Sequence, residues 1–127
     1  MKISRLDHLV LTVQNIEKSV LFYTQVMGME KVTFGDSRVA LLFGNQKINL
    51  HEYKQEFEPT AQHPTPGSAD LCFVIETPIS EAQQHLEKYG VEIIDGPIMR
   101  TGAIGQILSI YIRDPDQNLL ELSNDIP

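Results

Sequence analysis

Along this chain short apolar stretches alternate with polar positions at strand spacing, and two segments switch to helical spacing. The stretch Asp7-His8-Leu9-Val10-Leu11-Thr12-Val13 begins by alternating and ends apolar, which predicts a strand with His8 near its entry end. Asn15 is placed to cap a helix starting near Ile16-Glu17, with an acidic residue in its first turn. Ile16, Val20, Tyr23, Val26 and Met27 recur at roughly helical spacing and mark its buried stripe. Gly28 is the expected stop, because glycine enters the left-handed region at little cost. Strands are predicted over 29–34, 39–43 and 47–53, with Gly35-Asp36-Ser37 a turn and Gly44-Asn45-Gln46 closing the hairpin.

From 54 to 68 the periodicity stops: three prolines and one glycine mark a connection of about fifteen residues, long for a loop inside one compact unit. A second series follows. A strand is predicted over 70–76, then a helix opened by Thr77-Pro78, with Ala82, His85, Leu86 and Tyr89 on one face and Gly90 at its end. Further strands are predicted over 91–94, 107–113 and 119–123, with Asp95-Gly96-Pro97 a turn and 98–106 a glycine-containing loop. The turn Asp114-Pro115-Asp116-Gln117-Asn118 has proline to preset φ and Asp and Asn to bond the backbone, with Arg113 beside it to help fix the turn. Both halves read strand–helix–strand–strand–strand. A shift of 62 positions lays Asp70 over His8 and Gly90 over Gly28, so the chain carries an internal repeat. The predicted organisation is one domain over 1–127, made of modules 1–53 and 69–127 joined by the linker 54–68.

Composition narrows the function classes. At 127 residues, with 42% apolar and 21% charged positions, the chain has the make-up of a soluble globular protein. A net charge of −7 with no basic cluster argues against binding nucleic acid or an anionic membrane. The single cysteine, Cys72, lies in an apolar run; it excludes an intramolecular disulfide and is expected to pack as a small apolar side chain with an inert thiol. No apolar run approaches the ~18–20 residues of a span, and the first residues lack the core of a signal peptide. A cytoplasmic protein is expected.

The repeat, the opening Asp7-His8-Leu9-Val10-Leu11 and the closing Arg113-Asp114-Pro115-Asp116-Gln117-Asn118-Leu119-Leu120-Glu121-Leu122 resemble the vicinal oxygen chelate superfamily. Its members include glyoxalase I, fosfomycin-resistance proteins, ring-cleaving dioxygenases and bleomycin-resistance proteins. Lys47-Ile48-Asn49-Leu50-His51-Glu52 and Pro66-Gly67-Ser68 look like the glyoxalase domain-containing protein 5 group. The resemblance implies an α+β fold of two βαβββ modules whose curved mixed sheets form a cleft. It also implies up to four metal ligands from the first and last strand of each module. Carried over, these positions are His8, Asp70, Glu121 and, on the last strand of the first module, Asn49.

Two positions depart from the familiar pattern: Asp70 stands where histidine is usual, and Asn49 where glyoxalase I usually has glutamate. His51 lies two residues beyond Asn49 and faces the same side of a regular strand. A bulge would bring it in as the ligand, and imidazole binds a divalent transition metal better than an amide does. The expected metal set is therefore His8, His51, Asp70 and Glu121, with zinc, nickel, iron and manganese undistinguished.

Each residue has a plainer role to set beside this. His8 precedes an apolar strand as packed histidines often do, Glu121 would sit on the solvent face of an edge strand, His51 would end a hairpin, and Asp70 would cap a turn. His63, in the linker, and His85, on a helix, are not expected to be ligands. Arg100, in the glycine-containing loop, is a candidate clamp for an anionic group, and Asn49 a second binding residue.

Two function classes follow. The first is a divalent-metal-dependent lyase or isomerase of lactoylglutathione lyase type, acting on a small oxygenated substrate, with Glu121 moving a proton between neighbouring carbons. The second is a metal-free small-molecule binding protein of the bleomycin-resistance type. In either case the resemblance implies a C2 homodimer, with His8 and His51 of one chain completed by Asp70 and Glu121 of the other.

Overall fold

A computed structural model describes residues 1–127, and the chain divides into two compact units, Met1–Gly67 and Ser68–Pro127. In the first unit the element order is β1 (His8–Val13), α1 (Ile16–Gln25), β2 (Glu30–Phe34), β3 (Arg38–Phe43) and β4 (Gln46–Glu52). The strands form one mixed sheet in the order β1-β4-β3-β2, with β1 and β4 parallel and the other pairs antiparallel. The helix starts where the capping residue requires: the Asn15 side chain accepts from Lys18 N at 2.9 Å. After it, Gly28 takes φ +72°, the left-handed value a glycine stop supplies.

Strand periodicity decides which residues form the core. Leu11, Val13, Leu41, Ile48 and Leu50 share one parity and are almost fully buried, as is Tyr23 of α1, which packs against this sheet. Each such side chain withdrawn from water contributes roughly 1.5–3 kcal/mol before conformational entropy is counted. The opposite parity, from His8 and Val10 to Asn49 and His51, forms the face of the sheet away from the helix.

The second unit repeats the plan: β5 (Asp70–Val74), α2 (Ile79–Lys88), β6 (Asp95–Thr101), β7 (Gln106–Arg113) and β8 (Leu119–Asp125), in sheet order β5-β8-β7-β6. Ile110, Ile112, Leu120 and Leu122 are buried, with Ile79, Ala82 and Leu86 of α2. Two corrections to the sequence reading arise here. Residues 91–94 are not a strand; the third element of this unit is β6, running through Gly96-Pro97 and into the segment expected to be a loop. A register shift between Asp95 and Ile98 accommodates the pair as a bulge. Glycine is required there, since Gly96 has φ +93° and a Cβ would lie 2.4 Å from Ser109 O. On α2, His85 and Tyr89 do not join the buried face; both are exposed, and their rings meet at a tilt of 51° with centroids 4.9 Å apart.

The turn from Asp114 to Asn118 is a buried knot. Asp114 Oδ1 accepts from Asp116 N and Asn118 N, Oδ2 accepts from Asn118 Nδ2, and Asn118 Oδ1 accepts from Ala69 N at 2.8 Å. The β7–β8 turn therefore fixes the entry of β5, one residue before Asp70. Arg113 adds a bond from Nη1 to Gln117 O at 3.3 Å. No helix is long and apolar enough to cross a membrane.

Candidate functional site

The two sheets place their candidate residues at matching positions. In the first, His8 is opposite Lys47 and Asn49 opposite Val10 on parallel neighbouring strands. In the second, Asp70 is opposite Leu119 and Glu121 opposite Cys72. Each pair is offset by two residues, about 6.6 Å along the strands, on the face away from the helix. Asn49 is thus the counterpart of Glu121, and His51 the counterpart of Ser123.

The ladder through β4 is unbroken, so the bulge that would have brought His51 forward is absent. His51 pairs with Thr12, four positions from His8, or about 13 Å along the sheet. That register sets His51 two positions beyond Asn49 on the same face of the sheet.

His8 is exposed, and its Nδ1 lies 2.8 Å from Asp7 Oδ2. That hydrogen bond, with Arg5 also near, holds the Asp7 carboxyl below its ordinary pKa. With Nδ1 engaged, Nε2 carries no protein partner, the arrangement that orients a ligating imidazole. Asn49 contributes a buried amide oxygen, Oδ1, with no hydrogen-bond partner.

His51 is buried, with Phe57 edge-on at 5.6 Å between ring centroids. Burial, and after it the Arg38 charge, push its pKa down, against an opposing pull from Glu56.

In the second unit Asp70, Asp95, Arg100, Tyr111, Arg113 and Glu121 line an open recess of about 370 Å³. Glu121 is half-buried, and its Oε2 accepts from the fully buried Ser109 hydroxyl at 2.6 Å. Ser109 and Ser123 are in turn bonded at 2.7 Å, so one oxygen of Glu121 is fixed by a hydroxyl pair while Oε1 has no such partner. The Asp70 carboxyl makes no hydrogen bond or ion pair and stands exposed at the recess. Arg100 is on β6 rather than in a loop: Nε donates to the Tyr111 hydroxyl at 3.0 Å and Nη2 is 3.9 Å from Asp95.

Cys72 corrects another expectation. On edge strand β5 burial alternates, and Cys72 points to the exposed parity with Asp70 and Val74 rather than into the core. Its Sγ lies 3.3 Å from Ser123 Oγ. Partial burial raises the thiol pKa, Ser123 lowers it less, and the Glu121 charge raises it further, so the thiol stays protonated.

Sequence reasoning missed Ser109, which only strand pairing brings to Glu121. It also missed Asn124, whose Oδ1 accepts from Ile79 N and whose Nδ2 donates to Ile75 O and Thr77 O, capping α2 from 45 residues away.

The first unit offers an imidazole with a bare Nε2 and the second two carboxylates, donor types that divalent cations take. No three His, Cys, Asp or Glu side chains group within either unit.

The profile of the Glyoxalase/Bleomycin resistance protein/Dioxygenase superfamily matches residues 5–122. The virulence protein STM3117 of Salmonella typhimurium is 56% identical over 123 residues, covering 97% of this chain and 85% of that protein. The glyoxalase domain-containing protein RDO1 of Mycosarcoma maydis is 55% identical, covering 98% of this chain and 70% of that protein. Among solved structures, an integron cassette protein from the mobile metagenome of V. cholerae superposes with a TM-score of 0.97 at 56% identity, over 99% of this chain and 98% of that one. More distant folds include a lactoylglutathione lyase from Agrobacterium tumefaciens, with TM-score 0.75 and 21% identity over 98% of this chain and 96% of that one. A Listeria monocytogenes fosfomycin resistance protein complexed with Mn(II) matches with TM-score 0.68 and 24% identity, over 98% and 93%.

Proposed function

The chain belongs to the glyoxalase/bleomycin resistance protein/dioxygenase superfamily, and from that membership we propose that it is a divalent-metal-dependent lyase or isomerase of a small oxygenated substrate. The observation that carries this reading is the matched placement of His8 with Asn49 and of Asp70 with Glu121 on equivalent strands. His8 through Nε2, Asp70 and Glu121 are the donors assigned to the metal. His51, neutral and four positions removed, is assigned to the substrate. A bound divalent cation would supply Lewis-acid polarisation of substrate oxygens and stabilise negative charge as it develops.

The chain's own groups do the rest. Asp7 fixes the tautomer and direction of His8. Ser109 holds Glu121 Oε2, leaving Oε1 as the oxygen able to take a proton from one carbon and return it to the next. Arg100, braced by Tyr111, faces the recess as a clamp for an anionic part of the substrate. Because His8 belongs to the first unit and Asp70 and Glu121 to the second, the proposal includes a C2 homodimer that pools them, working in the cytoplasm.

The donor chemistry favours a second reading, a metal-free binding protein: an amide, Asn49, holds the position that matches Glu121 in the second unit, and an amide binds a transition metal poorly. Melting curves with and without a chelator separate the two. A metal bound only by the folded state adds RT ln(1 + [L]/Kd), about 2.7 kcal/mol at a hundredfold excess over Kd. The enzymatic reading expects a chelator to lower Tm by several degrees; an unmoved Tm supports the binding protein.

A further inference from the structure

Glu121 ends a line of side chains that crosses three strands. Cys72 of β5 lies opposite Glu121 of β8, and Ser109 of β7 lies opposite Ser123 of β8. Ser109 Oγ is 2.6 Å from Glu121 Oε2, Ser123 Oγ is 2.7 Å from Ser109 Oγ, and Cys72 Sγ is 3.3 Å from Ser123 Oγ. Both serines are 0% exposed, so their hydroxyls are satisfied by one another and by these neighbours, and not by bulk water.

The direction of the chain follows from its ionised end. Each hydroxyl has one proton to give, and a carboxylate only accepts. The Ser109 proton therefore goes to Glu121, and 2.6 Å falls in the range of about 2.5–2.7 Å for a hydroxyl bonded to an ionised oxygen. Ser109 must then accept from Ser123. Glu121 Oε2 is a second acceptor for Ser123, but at 3.5 Å against 2.7 Å the shorter contact takes the proton. A lone pair is left on Ser123, and the Cys72 thiol, protonated at neutral pH, donates to it. The line runs one way, from Cys72 through Ser123 and Ser109 to Glu121. Bonds in such a line polarise one another, each strengthening its neighbour by ~10–30%.

We propose that Ser123 is a positioning residue for Glu121, acting through Ser109 with the Cys72 thiol as the outer donor, so that Oε2 is held as an acceptor and Oε1 is left open to the recess. The inference rests on the reading of Glu121 as the group that moves a proton. Ser123 makes no short bond to Glu121 itself, so its effect there is indirect. Without it the Ser109 hydroxyl is no longer polarised or held in one orientation, and the Glu121 carboxylate gains freedom to turn.

Cys72 is the only cysteine, so the protein has a single S–H stretching band in the infrared, which moves to lower wavenumber when the thiol donates a hydrogen bond. The test records this band, and the NMR order parameter of the Glu121 side chain, on full-length, chelator-treated protein without substrate. The wild type is expected to show the band below the free-thiol position, a result that needs no variant. Ser123→Ala raises it to the free-thiol position. Ser109→Ala, which removes no bond to Cys72, raises it part of the way by ending the polarisation of Ser123. The Glu121 order parameter falls in both variants. The proposal is overturned if the wild-type band sits at the free-thiol position, which is the opposite direction of the chain. It is equally overturned if Ser109→Ala leaves the band unmoved, or if a folded Ser123→Ala variant keeps the wild-type band or the wild-type order at Glu121. These measurements read hydrogen bonds in metal-free protein, whereas melting with a chelator reads the metal, so the two failures are told apart.

Discussion

Asn118→Ala tests whether the buried turn holds the second unit together. The change removes the acceptor of Ala69 N and the donor to Asp114 Oδ2, both at 2.8 Å, at a residue 1% exposed. The first bond contributes about 1 kcal/mol; the second, to a buried carboxyl left without that donor, about 2 kcal/mol. The expected loss is about 3 kcal/mol. With a urea slope of about 1–3 kcal/mol/M, the unfolding midpoint falls by about 1–3 M at unchanged slope. Asn118→Asp keeps an acceptor for Ala69 but sets a second carboxyl against Asp114, and should fall at least as far. Equilibrium urea unfolding followed by circular dichroism measures both. A midpoint shift below about 0.3 M for Asn118→Ala would refute the assignment of the knot as the anchor of β5.

Gly96→Ala places a Cβ 2.4 Å from Ser109 O at φ +93°, and is expected to cost about 2–4 kcal/mol in thermal unfolding; a loss under about 0.5 kcal/mol would mean that the bulge relaxes freely. His51 gives a pH signature. Its folded pKa lies below the unfolded 6.5, so the unfolded state takes up the proton first. The contribution is intact above pH 6.5 and is lost as pH falls from there to the folded pKa. His51→Gln should flatten stability over that window, and imidazole NMR should show the His51 pKa rising part of the way in Arg38→Met, since burial remains the larger cause.

The repeat was legible because it rests on short-range signals: the Asn15 cap, the stops at Gly28 and Gly90, and the alternation that buries Leu11, Ile48 and Leu50. β6 was not, because Gly96-Pro97 is local turn chemistry that the sheet absorbs as a bulge against β7. Cys72 was misplaced because Leu71-Cys72-Phe73-Val74 is apolar throughout, whereas an edge strand exposes every second residue whatever its polarity. The choice between Asn49 and His51 depends on which residue pairs with Val10 across β1 and β4, and nothing local encodes it. The Ser109–Glu121 bond and the Asn124 cap join residues from different elements, and became visible only once the strands were paired.

The central claim is that these paired strand positions bind a divalent cation, and elemental analysis of protein purified without chelator tests it most directly. Close to one divalent metal per chain is expected in the wild type, with loss of that metal in folded His8→Ala and Glu121→Gln variants. A wild-type protein that carries no metal after growth in supplemented medium, or a His8→Ala variant with undiminished content, would contradict it.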